Sequence, residues 1–258
     1  MLTADYYKEI FKRKSFHLFR GCGDARVSEE ELQEICEAYA QFESLYPEIK
    51  TVLRIVPADK VNFKRDAEYC LMIYSEKKEN YLLNAGYLGE QLDLFLARKN
   101  IGTLWYGIGK PDEATYDGLS YVIMIAIHKI SDETMFRKDM FKSKRKKLEE
   151  TWSGETLGVG EIAMYAPSAC NSQPWFVQNE AGLLTVERLH KNSKVGLMLP
   201  SVSFFYNRID MGIYLCFLEI CLAQKQLAAE RALFPDEENV SRSKVAEYRL
   251  MGTGVSDT

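Results

Sequence analysis

Between residues 28 and 44 apolar side chains recur at Leu32, Ile35, Cys36, Tyr39 and Phe42, the spacing of one face of an α-helix. The stretch opens with Ser28 and three glutamates. Glu31, three residues after Ser28, completes a capping-box pattern. A shorter helix is predicted over Ala4 to Arg13, after Thr3 and with Tyr7, Ile10 and Phe11 as its apolar positions. Thr51 to Ile55 and Tyr69 to Tyr74 are rich in β-formers and read as strands, while Leu88, Leu92, Phe95 and Leu96 line one face of a helix over Ala85 to Lys99. Tyr121 to Ile127 is nearly all apolar, the pattern of a central strand covered on both faces.

The pattern then changes to charge, with seven basic residues in the eleven from Arg137 to Lys147, and reads as an exposed connection. Helical spacing resumes at Gly158 to Tyr165. A hairpin follows, Trp175 to Gln178 and Leu183 to Arg188, turned at Glu180 to Gly182. Ser203 to Leu227 is apolar over most of its circumference and predicts a buried helix. Tyr248 to Met251 is one more strand, and the last residues, GTGVSDT, read as loose. The order of elements implies an α+β chain in two halves, residues 1–150 and 151–258.

Composition narrows the field. At 258 residues and 47% apolar, the chain hides about 70 to 75% of its unfolded surface and needs neither disulfides nor structural metal. The balance of 33 basic and 37 acidic residues leaves a net charge of −4, which argues against nucleic acid as partner. Apolar stretches fall short of the roughly 20 residues that cross a bilayer, so no membrane partner is expected. The opening MLTADYYKEIFKRK carries charge where a signal peptide is apolar, which reads as cytoplasmic. Cys22, Cys36, Cys70, Cys170, Cys216 and Cys221 form no CxxC pair and read mostly as buried thiols. His17, His128 and His190 are widely separated, so no metal site is expected.

Three segments put polar residues or glycine where a packed element would be apolar. In Arg13-Lys14-Ser15-Phe16-His17-Leu18-Phe19, strand alternation puts Arg13, Ser15 and His17 on one side, donors suited to an anionic, oxygen-rich ligand. Basic residues after a helix also simply face water. In Ala166-Pro167-Ser168-Ala169-Cys170-Asn171-Ser172-Gln173-Pro174-Trp175, two prolines bracket amides and hydroxyls able to read a heterocycle edge, or to satisfy their own backbone. In the run from Asn84 to Gly109, Gly86 and Gly89 cost about 1 kcal/mol each inside a helix, so something approaches that helix closely. The later glycines let backbone amides reach a ligand.

Together these segments resemble the FMN-dependent nitroreductase family. RKSFHLF is similar to its RRSxRxF opening, Asn84 to Gly107 to its NAG…LxAxxxGLGTxWxG stretch, and APSACNSQPW to its APSxxNxQPW motif. In ordinary members the last motif precedes the glycine stretch. The reversed order here resembles a subgroup holding two related half-domains in one chain, with mixed, mainly antiparallel sheets flanked by helices. The resemblance implies one composite FMN site per chain, in a monomer that is an internal pseudo-dimer or in a homodimer.

It further implies that Arg13 and Ser15, with Lys14 beside them, hold the FMN phosphate and ribityl chain, and that Arg145 also meets the phosphate. Pro167, Ser168, Asn171 and Gln173 would line the flavin. The Gly107 amide would face the reactive N5, flanked by Trp105 and Ile108. His17 stands where the family has Arg or Lys, and a histidine supplies positive charge to reduced flavin only when protonated, which implies a pH-dependent flavin potential. Cys170 has no histidine near in sequence to make it a nucleophile. Gly158-Val159-Gly160 lacks a preceding strand, so a Rossmann dinucleotide site is not supported.

The implied activity is an NAD(P)H oxidoreductase passing hydride through FMN to a small-molecule acceptor, a nitroaromatic or quinone, with NADH or NADPH bound only transiently. The alternative is a flavin-binding protein without turnover. Bleaching of the bound flavin by NADH or NADPH no faster than that of free FMN would mark the alternative.

Overall fold

In a computed structural model of the chain, which describes residues 1–62, 65–140, 144–190, 198–237 and 240–251, the predicted opening helix is a 3-10 turn (Ala4–Tyr6) running into α1 (Tyr7–Lys12). The capping box forms: Ser28 Oγ accepts from the Glu31 N–H at 3.2 Å and the Glu31 carboxylate accepts from the Ser28 N–H at 3.1 Å. Helix α2 (Glu29–Gln41) therefore starts with two of its orphan backbone donors satisfied.

Strands β1 (Thr51–Pro57), β2 (Tyr69–Ser75), β3 (Ile101–Trp105), β4 (Thr115–Tyr116) and β5 (Leu119–Lys129) make one sheet in the order β1-β2-β5-β3, with β4 also on β5. Every pairing is antiparallel. The centre of β5 is buried residue after residue, which accounts for its lack of alternation. Helix α3 (Tyr81–Arg98) starts four residues before the expected Ala85, directly after Asn80, whose left-handed backbone (φ 63°) turns the chain into it. The segment from Ile101 to Gly109 reads in the sequence only as glycine-rich backbone, yet β3 is a full strand. Its Gly102 weakens the strand pattern for a packing reason: a Cβ there would lie 2.9 Å from the Phe16 ring.

The second sheet contains β6 (Trp152–Ser153), β7 (Trp175–Glu180), β8 (Leu183–Leu189), β9 (Ala229–Leu233) and β10 (Arg242–Leu250), in the order β6-β7-β8-β10-β9. Only the short β6–β7 pairing is parallel. The predicted hairpin is β7–β8, turned at Ala181 (φ 49°) and Gly182 (φ 84°), the two positive values that a tight hairpin turn requires. The short helix α4 (Gly160–Ala163) and the buried helix α5 (Pro200–Gln224) complete the elements. Strand β9 has no signal in the sequence, because AERAL carries no apolar run, and β10 begins well before the expected Tyr248.

The chain divides into two compact units: a front unit, Lys8–Lys142, and a back unit that joins Met1–Tyr7 to Ser143–Thr258. In the back unit the first residues pack with α5, where the Leu2 N–H donates to the Glu219 carboxylate at 3.0 Å. Among the described residues no helix is long and apolar enough to cross a membrane. Of the cysteines, Cys36 and Cys170 are exposed and the other four buried. Residues 141–143 of the charged run and the tail 252–258 lie outside the described residues.

Candidate functional site

In the front unit the chain leaves α1 and runs beside β3. Ser15 forms an isolated parallel bridge with Thr103, and the Phe16 N–H donates to the Thr103 carbonyl at 2.9 Å. The alternating strand expected over residues 13–19 is therefore a single bridge. Arg13 turns inward, 2% exposed, whereas Lys14 and His17 are exposed and Ser15 is half-buried. Phe16 is buried against Phe19 and Phe136, which anchors the segment.

The inward turn of Arg13 has an electrostatic cause. Helix α3 presents Glu90 and Asp93, three residues apart and therefore on one face, both fully buried. Asp93 accepts from Arg13 Nε at 3.0 Å and Nη2 at 2.9 Å, from Thr103 Oγ1 at 2.6 Å and from Trp105 Nε1 at 2.9 Å. One carboxylate thus ties the opening segment to the middle and the far end of the strand that leads toward Gly107. Glu90 lies 3.8 Å from Arg13 Nε. Burial first, and then the charge of Asp93, push the Glu90 carboxyl well above the usual range. Burial opposes the Arg13 charge, but Asp93 and then Glu90 more than offset it and raise its pKa. The guanidinium that the resemblance implies for the phosphate is thus engaged inside its own unit.

The backbone beyond Trp105 is pinned at both ends. The Tyr106 N–H donates to the Met124 carbonyl at 2.9 Å, and farther on Arg54 holds Asp112 at 2.7 and 3.0 Å and Glu113 at 3.0 Å. Gly107 is half-buried between these anchors and Ile108 is 73% exposed. The close approach expected at Gly89 is made by Trp105, whose Cη2 would lie 2.5 Å from a Cβ there.

In the back unit the structure joins the predicted turn residues into one network. Ser168 Oγ accepts from the Gln173 N–H at 3.0 Å. Arg145 donates to Asn171 Oδ1 and to the Tyr165 carbonyl, the latter at 2.9 Å. Gln173, 2% exposed, accepts from the Lys146 N–H at 3.0 Å, and the Lys146 ammonium donates to its carbonyl at 2.6 Å. Pro167 and Ser168 are half-buried and Asn171 is exposed. Cys170, Asn171 and Gln173 have φ values of 50°, 55° and 46°, left-handed conformations that cost on the order of 1 kcal/mol or more each outside glycine. Beyond the turn, Trp175 stacks on Tyr214 of α5 with centroids 4.7 Å apart.

Three acidic groups in these networks have no role in the sequence reading, although Glu90 and Asp93 fall within the Asn84–Gly107 stretch. Asp93, with Glu90, sits inside the apolar run LGEQLDLF, and Asp210 sits inside the buried α5. A charge in the middle of an apolar helix is the signal that could have found them. Asp210 accepts from the Ala169 N–H at 2.9 Å and from Ser172 Oγ at 3.2 Å. Burial pushes its carboxyl up to about 7, against the lowering effect of those two bonds. Among the described residues no group of three or more His, Cys, Asp or Glu side chains could hold a metal ion.

The donors open to a ligand in the front unit are the Lys14 ammonium, the Ser15 hydroxyl, the exposed His17 and the backbone around Gly107. An amine, a hydroxyl and an imidazole fit a phosphate monoester with a polyol chain. Arg13, buried and held by Asp93, also reaches the Ser15 hydroxyl at 3.4 Å.

Residues 5–222 match the family model described as "Putative TM nitroreductase". Among solved structures, a "putative nitroreductase" from Thermotoga maritima is similar at 16% identity and TM-score 0.59, over 95% of this chain and 93% of that one. At that identity the likeness speaks for the fold. A nitroreductase family protein from Clostridium novyi aligns at 20% identity over 53% of this chain and 89% of that one, with TM-score 0.40, too low to bear on the fold. No curated protein matches the chain. With the family model spanning α1 to α5, the chain belongs to the nitroreductase family, a family of oxidoreductases.

Proposed function

We propose that the chain is a flavin enzyme that binds FMN and uses NADH or NADPH to reduce a small nitroaromatic or quinone-like acceptor. Nitroreductase family members generally bind flavin. The observation that carries the reading is the Ser15–Thr103 bridge, which sets the donors of the opening segment beside the strand running into Gly107.

Bound FMN would supply the redox chemistry, accepting a hydride and passing electrons on. The chain's residues would bind and orient it. Lys14 and Ser15 would take the phosphate and ribityl oxygens, His17 and the Gly107 amide the isoalloxazine edge, and Trp105 and Ile108 its surroundings. Ser168, Asn171 and Gln173, in the turn that Pro167 opens, would line the flavin, as the family resemblance implies. Arg13 and Arg145 would act one step away, Arg13 by holding Ser15 at 3.4 Å and Arg145 by fixing Asn171. The two units would be related halves, as in a single-chain pseudo-dimer.

The test is the absorption spectrum of the purified protein, with and without added FMN, followed by anaerobic reduction with each nicotinamide. A flavin spectrum bleached faster than free FMN supports the reading. A protein that takes up no FMN overturns it.

A further inference from the structure

The 167–174 turn is built against its own conformational preference, with three left-handed residues, Cys170, Asn171 and Gln173, in a span of four. Such backbone persists only where its surroundings over-determine it. From below, what holds it is Asp210 on α5. Its Oδ1 accepts from the Ala169 amide at 2.9 Å and its Oδ2 from Ser172 Oγ at 3.2 Å. The Ser172 hydroxyl has one proton and a competing acceptor in Asn207 Oδ1 at 3.4 Å, so its direction depends on the charge of Asp210.

We propose that Asp210 is a positioning residue for this turn, its carboxylate holding the Ala169 amide and the Ser172 hydroxyl so that Ser168 and Asn171 are presented to the flavin, and that protonation releases the hold. The proposal rests on the FMN reading above for its ligand, but not for the turn itself.

The surroundings isolate this carboxyl. Asp210 is 3% exposed, and no Lys, Arg or His is paired with it among the described residues. Titratable groups near it in the chain are Cys170 on the turn, Arg208 two residues before it and, four residues either way along α5, Tyr206 and Tyr214; the packed helix α4 adds Glu161, and no charged side chain is among the causes of the Asp210 shift. Burial, and then Cys170, raise the Tyr206 pKa; burial first raises that of Tyr214 well above its usual range. Both phenols stay neutral, leaving the Asp210 carboxyl, at about 7, as the group that changes charge beneath the turn near neutrality. An ionised acceptor makes bonds roughly twice as strong as a neutral one. Two bonds weakening together correspond to about a tenfold change in an equilibrium that depends on them.

The test uses the full chain with two readouts. In the apo protein carrying Trp105→Phe and Trp152→Phe, tryptophan emission followed from pH 5.5 to 8.5 reports Trp175, which directly follows the turn. A step centred near 7 with Asp210 in place and absent from Asp210→Asn is expected. Then FMN affinity, from quenching of flavin fluorescence, is measured over the same range, with Asp210→Asn controlling for the titration of the FMN phosphate. Wild type is expected to bind about tenfold more tightly at the alkaline end than the variant's own pH dependence allows. Ser172→Ala, which keeps the carboxylate and removes one donor, is expected to shrink both steps and keeps the test open if Asp210→Asn fails to fold. Identical pH profiles in wild type and variants, in either readout, overturn the role of Asp210 and leave FMN binding standing. An apo step with no FMN uptake overturns the flavin reading and leaves the positioning of the turn.

Discussion

Asp93 and Asp210 are the same side chain, each buried in the middle of an apolar helix, one in each compact unit, and they are held in opposite ways. Asp93 faces a guanidinium and accepts in addition from Thr103 and Trp105. Asp210 faces an amide and a hydroxyl. The first is answered by a buried cation; the second carries its charge at a cost that falls on the fold. The difference separates a carboxylate that assembles its unit from one whose ionisation is poised near neutrality.

The largest effect is expected from breaking the compensated pair. Asp93→Ala leaves Arg13 buried without its bonded carboxylate, with Glu90 3.8 Å away as the carboxyl beside it, and stability should fall by about 3 to 5 kcal/mol. Chemical denaturation reads this as a lower midpoint, and a loss below about 1 kcal/mol would show that the cluster relaxes at little cost.

Next in size is the pH dependence of stability that Asp210 contributes. Its folded pKa, about 7, is raised above the unfolded value of 3.8. The folded state therefore holds the proton where the unfolded state has released it. Its contribution is fully present below about 4, is lost as pH rises toward 7, and is flat above. The loss approaches about 4 kcal/mol as an upper bound. Asp210→Asn should remove that slope and be the more stable protein above pH 7, as thermal melts over pH 4 to 8 will show; parallel slopes would mean that Asp210 ionises freely.

Smaller still is Glu90→Gln. Because burial and Asp93 raise the Glu90 carboxyl well above its usual range, replacement by its neutral isostere should cost less than about 1 kcal/mol, whereas in an Asp93→Ala background, with the Asp93 charge gone and Glu90 the remaining carboxyl beside Arg13, the same change should cost more. Additivity in that double-mutant cycle would contradict the sharing of one cation by two carboxyls. The smallest effect is expected outside both clusters, at the exposed His17. In FMN-loaded protein His17→Lys should flatten the dependence of the flavin midpoint on pH, and unchanged slopes would remove His17 from the flavin's surroundings.

Much of the fold is legible because its elements announce themselves locally. The Ser28–Glu31 box, the apolar β5 and the Ala181–Gly182 hairpin each need only neighbouring residues to be read. Strand β3 is hidden because Gly102 serves Phe16, a residue 86 positions earlier, rather than its own strand. The site is legible by residue type and less so by role. Ser168, Asn171, Gln173 and Arg145 do converge, but on one another. Arg13 reads from its neighbours as an open donor, and its partners lie about 80 residues on in α3. Local spacing cannot reveal a cation whose counter-ion is that distant in sequence, although two acids inside an apolar helix mark where one is needed.

The seven residues that open the chain belong to the unit that closes it, so the front unit is an insertion within the back one. During synthesis Lys8–Lys142 has all its own sequence available early, while Met1–Tyr7 must wait for α5 to emerge before Leu2 can meet Glu219. In a chain cut between the units, grafting that leading heptapeptide onto the trailing fragment would keep the Leu2–Glu219 bond within one piece.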